Sequence, residues 1–215
     1  MILSRGRRYI FVHIPKTGGT SLALALEARA MKDDVMLGDT PKAVKRRRRV
    51  KGVLANGRLW KHSGLSDIEG LATREEIETF MSFTLVRNPW DRFVSYYHWL
   101  RDQGFEHTAV RLSKALTFKE FLSHPHTQAS LENAPYVRYL TDMRGVEQGK
   151  LYMRLEHFAE DAQPLFEHLG FELDLPQVNQ SDRDRDYRNY YDEEDAALLG
   201  DICRLDIERF GYRFD

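Results

Sequence analysis

The strongest constraint on the fold is an apolar run that leads into a glycine-rich turn and then into a segment of helix formers. The apolar run is Tyr9-Ile-Phe-Val-His-Ile14, the turn is Pro15-Lys-Thr-Gly-Gly-Thr-Ser21, and the helix formers continue to Ala30. A near-continuous apolar run of this length is typical of a strand buried on both faces of a parallel sheet. Alanine and leucine, which dominate the third segment, favour a helix. The order of the three segments therefore predicts a strand–turn–helix unit.

The same arrangement recurs further along the chain. Met81-Ser-Phe-Thr-Leu-Val-Arg87 is predicted to be a second buried strand, and Asn88 and Pro89 are typical of the N-cap and first turn of a helix that runs to about Asp102. Further predicted elements are a strand at Lys150–Arg154, helices at about Phe158–Leu169 and Glu193–Phe210 that are closed by Gly170 and Gly211, and helix starts at the capping boxes Thr73–Glu76 and Thr117–Glu120. Repeated units of this kind predict an α/β fold, a three-layer sandwich with a central parallel sheet. Such sheets bind ligands at the carboxyl ends of their strands.

Length, charge and cysteine content narrow the class of protein. The 215 residues contain no repeat and no Pro/Ser-rich linker, which predicts a single domain over residues 1–215. Lys and Arg number 32 against 33 Asp and Glu, so the net charge of -1 argues against a nucleic-acid-binding protein. The single Cys203 excludes an intramolecular disulfide and a cysteine-based zinc site. No segment approaches the ~20 apolar residues of a membrane span or resembles a signal peptide, so we predict a soluble cytoplasmic protein.

The glycine-rich turn has the composition of an anion-binding loop. Gly18 and Gly19 allow a tight turn that points successive N–H groups into one concavity, and the following helix adds the positive end of its dipole. Lys16 adds a positive charge. Hydroxyl donors are supplied by Thr17, Thr20 and Ser21. A turn that only relieves strain and caps a helix is the plainer alternative, but this combination within seven residues favours a phosphate or sulfate site.

The position of the lysine separates this loop from the P-loop of nucleotide triphosphatases. In the P-loop the lysine follows the last glycine, whereas Lys16 precedes both glycines here. A nucleotide or small-molecule kinase on a related fold is therefore a weaker alternative. It would also need a metal-binding acid at a strand end, and none of the apolar strands ends in aspartate.

A second candidate anion site follows the second strand. Arg87 ends that strand, and Ser95 lies about two turns into the next helix. A guanidinium together with a hydroxyl is suited to clamp a phosphate. A strand end that faces a cleft seldom carries an unpaired arginine, so we interpret Arg87 as a ligand-binding residue. The intervening Asp91 is interpreted as an acidic residue in the first turn of the helix.

These two motifs resemble those of the sulfotransferases that use 3′-phosphoadenosine 5′-phosphosulfate (PAPS), above all the carbohydrate sulfotransferases of the heparan 2-O type and their bacterial relatives. Phe11–Leu22 is similar to the family's 5′-phosphosulfate loop and Val86–Tyr97 to its 3′-phosphate motif. Weaker similarity runs through Met153–Glu156, Val178–Ser181 and Asp206–Tyr212.

The resemblance implies a fold, a cofactor and a set of binding residues. The fold would be the sulfotransferase fold, which is similar to that of P-loop nucleotide triphosphatases. The enzyme would transfer a sulfuryl group from PAPS to a hydroxyl or amine and release adenosine 3′,5′-bisphosphate. Carried onto the matching positions, Lys16 and the amides of Thr17, Gly18, Gly19, Thr20 and Ser21 would hold the 5′-phosphosulfate. Arg87 and Ser95 would hold the 3′-phosphate.

A histidine between the two motifs is the candidate general base. His62, in Leu59-Trp-Lys-His-Ser-Gly-Leu65, ends a short apolar stretch before a Ser-Gly turn, so it is predicted to project from a further strand end. It also resembles the family's histidine at this place in the chain. His13, inside the first strand, is predicted to be a core residue, and His98 is kept in reserve. No metal site is predicted, because Lys16 and the loop N–H groups would stabilise the leaving group.

The segment Lys42–Lys51, with seven cations in ten residues, is predicted to be a solvated surface. It would suit an anionic acceptor, such as an acidic glycan, or peripheral contact with an anionic membrane. The acceptor is predicted to be a carbohydrate or glycolipid. The remaining alternative is a non-catalytic protein that binds PAPS or a polyanion, against which the presence of both Lys16 and His62 argues.

Overall fold

A computed structural model describes residues 1–176 and 183–215. The predicted family similarity at Val178–Ser181 lies outside these residues. The strands are β1 (Ile2–Ser4), β2 (Tyr9–Phe11), β3 (Val35–Met36), β4 (Met81–Val86) and β5 (Leu151–Arg154). The α-helices are α1 (Gly19–Ala28), α2 (Pro41–Arg46), α3 (Arg74–Thr79), α4 (Pro89–Arg101), α5 (Thr108–Ala115), α6 (Phe118–Ser123), α7 (Pro125–Glu132), α8 (Tyr136–Tyr139), α9 (Phe158–Asp161), α10 (Gln163–Leu169), α11 (Glu193–Ile202) and α12 (Arg204–Phe210). Single-turn 3₁₀ helices lie at Arg47–Val50, Leu155–His157 and Tyr187–Tyr190.

The chain divides into two compact units. The first comprises Met1–Val86 and Tyr136–Val178, and the second comprises Arg87–Pro135 and Asn179–Asp215. The prediction of a single domain over residues 1–215 stays a prediction.

The first unit is built around a five-stranded sheet with the order β3-β1-β2-β4-β5. Strands β2, β4 and β5 are parallel, with Phe11 opposite Phe83 and Phe83 opposite Leu151. The predicted α/β fold with a central sheet is therefore confirmed. The sheet is mixed, however, because β1 runs antiparallel to β2 and β3 runs antiparallel to β1. These two strands were missed because two or three residues are too few to show a periodic pattern.

One face of this sheet carries the core that fixes the strand ends. Phe11 and Phe83 stack with their ring centroids 5.6 Å apart, and helix α1 packs Leu22 and Leu26 into the same cluster. Leu165 of α10 is also fully buried there. Burying each of these side chains contributes roughly 1.5–3 kcal/mol to the stability of the fold. The packing therefore holds α1 against the sheet at the point where the glycine-rich turn begins.

The second unit is helical. Its core includes Phe93 and Tyr97 of α4, Phe121 of α6 and Leu199 of α11. Helix α4 begins as predicted, because the Asn88 side chain accepts a hydrogen bond from the Trp90 N–H at 3.0 Å and proline follows in the first turn.

Local helix signals were largely confirmed, whereas two predicted long helices are divided. Both capping boxes form, at Thr73–Glu76 and Thr117–Glu120. Gly170 and Gly211 end their helices in the left-handed conformation. The predicted helix 158–169 is two helices because Pro164 lies in the first turn of α10, where its missing N–H interrupts the hydrogen-bond ladder. The predicted helix 193–210 is divided at Cys203.

Candidate active site

The glycine-rich turn after β2 has a strained backbone. Lys16 has φ of 66° and Gly18 has φ of 85°, both in the left-handed region. For lysine this conformation is uncommon and costs free energy, and such outliers cluster at functional sites. Alternation of right- and left-handed residues turns successive N–H groups toward one side. Gly18 is also the N-cap of α1, and no side chain caps that helix end, which suits the first N–H groups of the helix, those of Gly19 and Thr20, to an anion.

The hydroxyls of the turn differ in exposure and in hydrogen bonding. Thr17 is fully buried and donates its hydroxyl proton to the Ile14 carbonyl oxygen at 3.0 Å. Its hydroxyl therefore braces the turn, contrary to its predicted use as a ligand donor. The Ser21 N–H donates to the Gly18 carbonyl oxygen at 3.0 Å, so Ser21 can offer a ligand only its hydroxyl. Thr20 and Ser21 are both partly exposed.

A side chain at either glycine of the turn would collide with a neighbouring side chain. A Cβ atom at Gly18 would lie 2.8 Å from a methyl group of Leu155, in addition to its unfavourable φ. A Cβ atom at Gly19 would collide with the imidazole ring of His13. His13 is buried, as predicted, and its pKa is lowered well below the usual value, mainly by burial. The glycine-rich turn therefore rests directly on the His13 ring.

His62 contacts both the backbone and the ring of His13. The Nδ1 atom of His62 lies 2.8 Å from the His13 backbone carbonyl oxygen, and the two ring centroids are 4.6 Å apart. A carbonyl oxygen can only accept, so Nδ1 carries the proton and the lone pair lies on Nε2. Burial lowers the pKa of His62 to about 4; the bond to His13 opposes this shift, and the positive charge of Lys61 adds to it. The imidazole is therefore neutral at pH 7 and able to accept a proton at Nε2.

His62 lies in a turn rather than at a strand end, so the predicted strand is wrong. The turn belongs to a closed loop whose ends are joined by the Asn56 N–H bonded to the Glu69 carbonyl oxygen at 2.8 Å. Asp67 braces the loop from within, because its carboxylate accepts from the Gly64 N–H at 2.8 Å. Hydrogen bonds within the loop, together with the bond from His62 to His13, hold His62 in place without a strand of its own.

In the second unit, Arg87 is paired with Asp91. Arg87 Nε and Nη2 lie 2.8 Å and 2.6 Å from Asp91 Oδ2, and Arg183 Nη2 lies 2.5 Å from Asp91 Oδ1. The expectation of an unpaired arginine is therefore wrong. Asp91 lies in the first helical turn as predicted, and it also bridges two guanidinium groups. The Arg87–Asp91 spacing of four residues could have indicated the pair, whereas Arg183 carries no local signal.

Ser95 and His98 lie on the same helix, α4. Ser95 is only 6% exposed. His98 Nε2 is buried and has no hydrogen-bond partner among residues 1–176 and 183–215. The pKa of His98 is lowered, first by burial and then by Arg183 and Arg101. Both side chains belong to the unit that contains Arg87.

Residues 1–176 and 183–215 contain no group of three or more His, Cys, Asp or Glu side chains placed to hold a metal ion. Within the same residues, no helix combines the length and apolar character needed to cross a membrane.

The profile of the protein family described as "Sulfotransferase family" matches residues 1–213. The chain belongs to the sulfotransferase family. This confirms the family predicted from the sequence, that of the PAPS-dependent sulfotransferases, and the prediction of an enzyme. The sulfotransferase is also similar in structure to mouse sulfotransferase SULT7A1, solved in complex with PAP, with a TM-score of 0.49 and 16% sequence identity over 93% of this chain and 83% of the mouse chain. No curated protein sequence matches it significantly.

Proposed function

We propose that this sulfotransferase moves the sulfuryl group of PAPS to a hydroxyl or amine of a carbohydrate or glycolipid, with His62 as general base. The observation that carries the proposal is the hydrogen bond from His62 Nδ1 to the His13 carbonyl oxygen, which leaves the Nε2 lone pair for the acceptor proton. His13 also touches Gly19 of the anion loop, so one residue supports both the base and the loop.

The residues of the turn fit a phosphosulfate group. The left-handed Lys16 and Gly18, the uncapped start of α1, and the partly exposed hydroxyls of Thr20 and Ser21 are a donor set for an anion. Lys16 and the N–H groups of Thr17, Gly18, Gly19 and Thr20 would hold the 5′-phosphosulfate. Stabilising negative charge on the bridging oxygen is the role proposed for Lys16. Donors of this type contribute roughly 3–4 kcal/mol each.

Arg87 and Ser95 are proposed to hold the 3′-phosphate. Hydrogen bonds from its Nε and Nη2 to Asp91 fix the plane of the Arg87 guanidinium, and a planar guanidinium is suited to phosphate oxygens. Asp91 and Arg183 enter the proposal as positioning residues, because they act through Arg87.

When bound, PAPS supplies the sulfuryl group: a bond forms from the acceptor atom to sulfur, the bond from sulfur to the 5′-phosphate oxygen breaks, and the electron pair stays on the phosphate. His62 Nε2 takes the proton from the acceptor as the new bond forms. No metal enters this proposal, because Lys16 and the loop amides take the stabilising role. The location of the enzyme, expected to be the cytoplasm, stays a prediction.

The experiment is an incubation of the purified protein with ³⁵S-labelled PAPS and a panel of saccharide, glycolipid and phenol acceptors. We expect a labelled sulfate ester on a saccharide and release of adenosine 3′,5′-bisphosphate. Binding of the cofactor without turnover on any acceptor would instead support the non-catalytic alternative. Hydrolysis or transfer of a phosphoryl group from ATP would support a kinase.

A further inference from the structure

Residues 213–215, which follow helix α12, lie against the first turn of helix α4. The Asn88 Nδ2 atom donates a hydrogen bond to the Arg213 carbonyl oxygen at 3.0 Å. The Phe214 ring lies 5.5 Å from the Trp90 ring, measured between the centroids. All of these contacts lie within the second unit, far apart in sequence but joined at the helix start.

Both ends of the Asn88 side-chain amide are engaged. Its Oδ1 atom accepts the Trp90 N–H at 3.0 Å, which caps helix α4. Its Nδ2 atom donates to the Arg213 carbonyl oxygen and also, at 3.3 Å, to the Tyr187 hydroxyl. An asparagine amide has one acceptor oxygen and two N–H donors, so these bonds fix its orientation. Asn88 is only 9% exposed, and a bond lost there would leave a largely buried polar group unsatisfied.

The Tyr187 hydroxyl connects the Asn88 side chain to Asp215. It accepts the hydrogen bond from Asn88 and donates its own proton to the Asp215 carbonyl oxygen at 2.9 Å. Phe214 is thus flanked on both sides by a residue whose main-chain carbonyl oxygen is hydrogen-bonded. These bonds fix the backbone around Phe214, and therefore fix where its ring lies.

The Phe214 ring packs edge-to-face against three aromatic rings. Its centroid lies 5.5 Å from that of Trp90, 5.7 Å from that of Tyr187 and 5.5 Å from that of Tyr191, an arrangement favoured by the ring quadrupoles. Tyr191 also donates its hydroxyl proton to the Trp90 carbonyl oxygen at 2.8 Å. Phe214 remains 37% exposed, so its loss should cost less stability than the loss of the fully buried Phe121 of the same unit.

The turn that these residues contact carries Arg87. Arg87 directly precedes Asn88, and its Nε atom donates to Asp91 at 2.8 Å one helical turn later. The main chain at Asn88 therefore sets where the arginine side chain begins, and Asp91 sets the plane of its guanidinium. A bidentate phosphate contact needs a guanidinium placed to within about 0.5 Å. A displaced Asn88 would move Arg87 out of that range.

We propose that Phe214 and Tyr187 are positioning residues that act through Asn88 on Arg87, and that they set how strongly the enzyme prefers a nucleotide with a 3′-phosphate to one without it. The inference rests on the proposed function, because it takes Arg87 as the residue that holds the 3′-phosphate. Neither aromatic ring has to touch the nucleotide. The preference is the affinity for adenosine 3′,5′-bisphosphate divided by the affinity for adenosine 5′-monophosphate.

The test measures this ratio by calorimetric titration with both nucleotides, and measures the stability of each variant by thermal unfolding. Phe214→Ala removes the ring, Phe214→Leu keeps an apolar side chain, and Tyr187→Phe removes only the hydroxyl. The matched control is Phe105→Ala, because Phe105 belongs to the same unit, is 49% exposed and has its ring centroid 6.1 Å from that of Trp99. Arg87→Ala and Phe214→Ala are also combined in a double-mutant cycle.

We expect Phe214→Ala to lower the ratio about tenfold, which corresponds to about 1.4 kcal/mol. Tyr187→Phe should lower it about threefold, because the ring remains and one hydrogen-bonding group is lost. Phe214→Leu should retain most of the preference. Phe105→Ala should keep the wild-type ratio even where it lowers the unfolding temperature. In the Arg87→Ala background, Phe214→Ala should have no further effect on the ratio, because the group that it positions is already absent.

The inference would be overturned, with the role of Arg87 intact, if Arg87→Ala lowered the ratio but Phe214→Ala and Tyr187→Phe did not. It would also be overturned if Phe214→Ala weakened both nucleotides equally, if Phe105→Ala lowered the ratio as much, or if the effect of Phe214→Ala persisted in full without Arg87. A wild-type ratio in Arg87→Ala would instead refute the proposed 3′-phosphate site itself, and the inference with it.

Discussion

The Nδ1 atom of His62 lies 2.8 Å from the backbone carbonyl oxygen of His13, the residue whose ring supports Gly19. This single contact sets which nitrogen of His62 can accept a proton, because the other is committed to a carbonyl. It also joins a loop residue to the segment that connects β2 to the glycine-rich turn.

Replacing His62 by alanine or glutamine should lower kcat by about 10²–10⁴-fold, the usual contribution of a general base. Affinity for adenosine 3′,5′-bisphosphate should stay within about twofold, since the base acts on the acceptor. The matched control is His157→Ala, which removes an exposed histidine with its side chain 53% accessible. Unchanged turnover in both His62 variants would remove this residue from the mechanism.

The activity of the enzyme, measured as kcat/KM, should decline on the acid side near the pKa of His62, about 4, rather than near 6.5. A general base must be unprotonated, so kcat/KM should be flat above the limb and fall as the pH drops through it. The measurement is kcat/KM from about pH 3 to pH 8, with circular dichroism at each pH to separate titration from unfolding. A limb between pH 6 and 7 in the folded protein would contradict the buried, neutral imidazole.

The same shift predicts how stability depends on pH. The folded pKa of His62 lies below the unfolded value, so the unfolded chain binds more protons between about pH 6.5 and 4, and stability is lost as the pH falls through that range. His62→Gln should therefore lose less unfolding free energy than the wild type between pH 6.5 and 4.5, by on the order of 2 kcal/mol. Parallel urea titrations at the two pH values measure the difference. Equal losses in the two proteins would contradict the shift.

Gly19→Ala should lower both stability and activity by displacing the His13 ring. Its methyl group would meet the His13 ring, and relieving such a contact typically costs about 1–3 kcal/mol of stability. Because His13 also positions His62, kcat should fall further than stability alone explains. The control is Gly104→Ala, where a methyl group would meet nothing within 4 Å. A fully active Gly19→Ala would show that His13 moves aside without consequence.

Arg87→Ala should weaken the binding of ligands that carry a 3′-phosphate and leave the binding of the other end of the cofactor unchanged. The loss of a charged hydrogen bond costs about 1.5–3 kcal/mol, so adenosine 3′,5′-bisphosphate should bind about 10- to 150-fold more weakly. Adenosine 5′-monophosphate, which lacks the 3′-phosphate, should bind nearly as before. Calorimetry with both ligands on the wild type, Arg87→Ala and the exposed-residue control Arg111→Ala gives the comparison. Equal weakening of the two ligands would exclude a 3′-phosphate role for Arg87.

Thr17→Val and Ser21→Ala should have opposite effects. The Thr17 hydroxyl is buried against the Ile14 carbonyl, so its loss should lower the free energy of unfolding by about 1–2 kcal/mol. Ser21 is partly exposed, so its loss should leave stability nearly unchanged and weaken cofactor binding instead. Thermal unfolding and cofactor titration of both variants test the assignment. A stable Thr17→Val with weakened cofactor binding would reverse it.

The sequence by itself determined the elements whose causes are local. The apolar runs before Pro15 and Asn88 became strands β2 and β4, and the residues after them became helices α1 and α4. Thr73 begins a helix and Gly170 ends one, as predicted. A hydrogen bond to a near neighbour in the chain is enough to set either end.

Only the tertiary structure decided what depends on distant partners. His62, predicted from the sequence as the general base at a strand end, lies instead in a closed loop and contacts the backbone of His13, 49 residues away. Arg183 reaches Asp91 from 92 residues along the chain. Such pairs leave no pattern in the sequence, because they form only once packing of the sheet and helices has placed remote segments side by side.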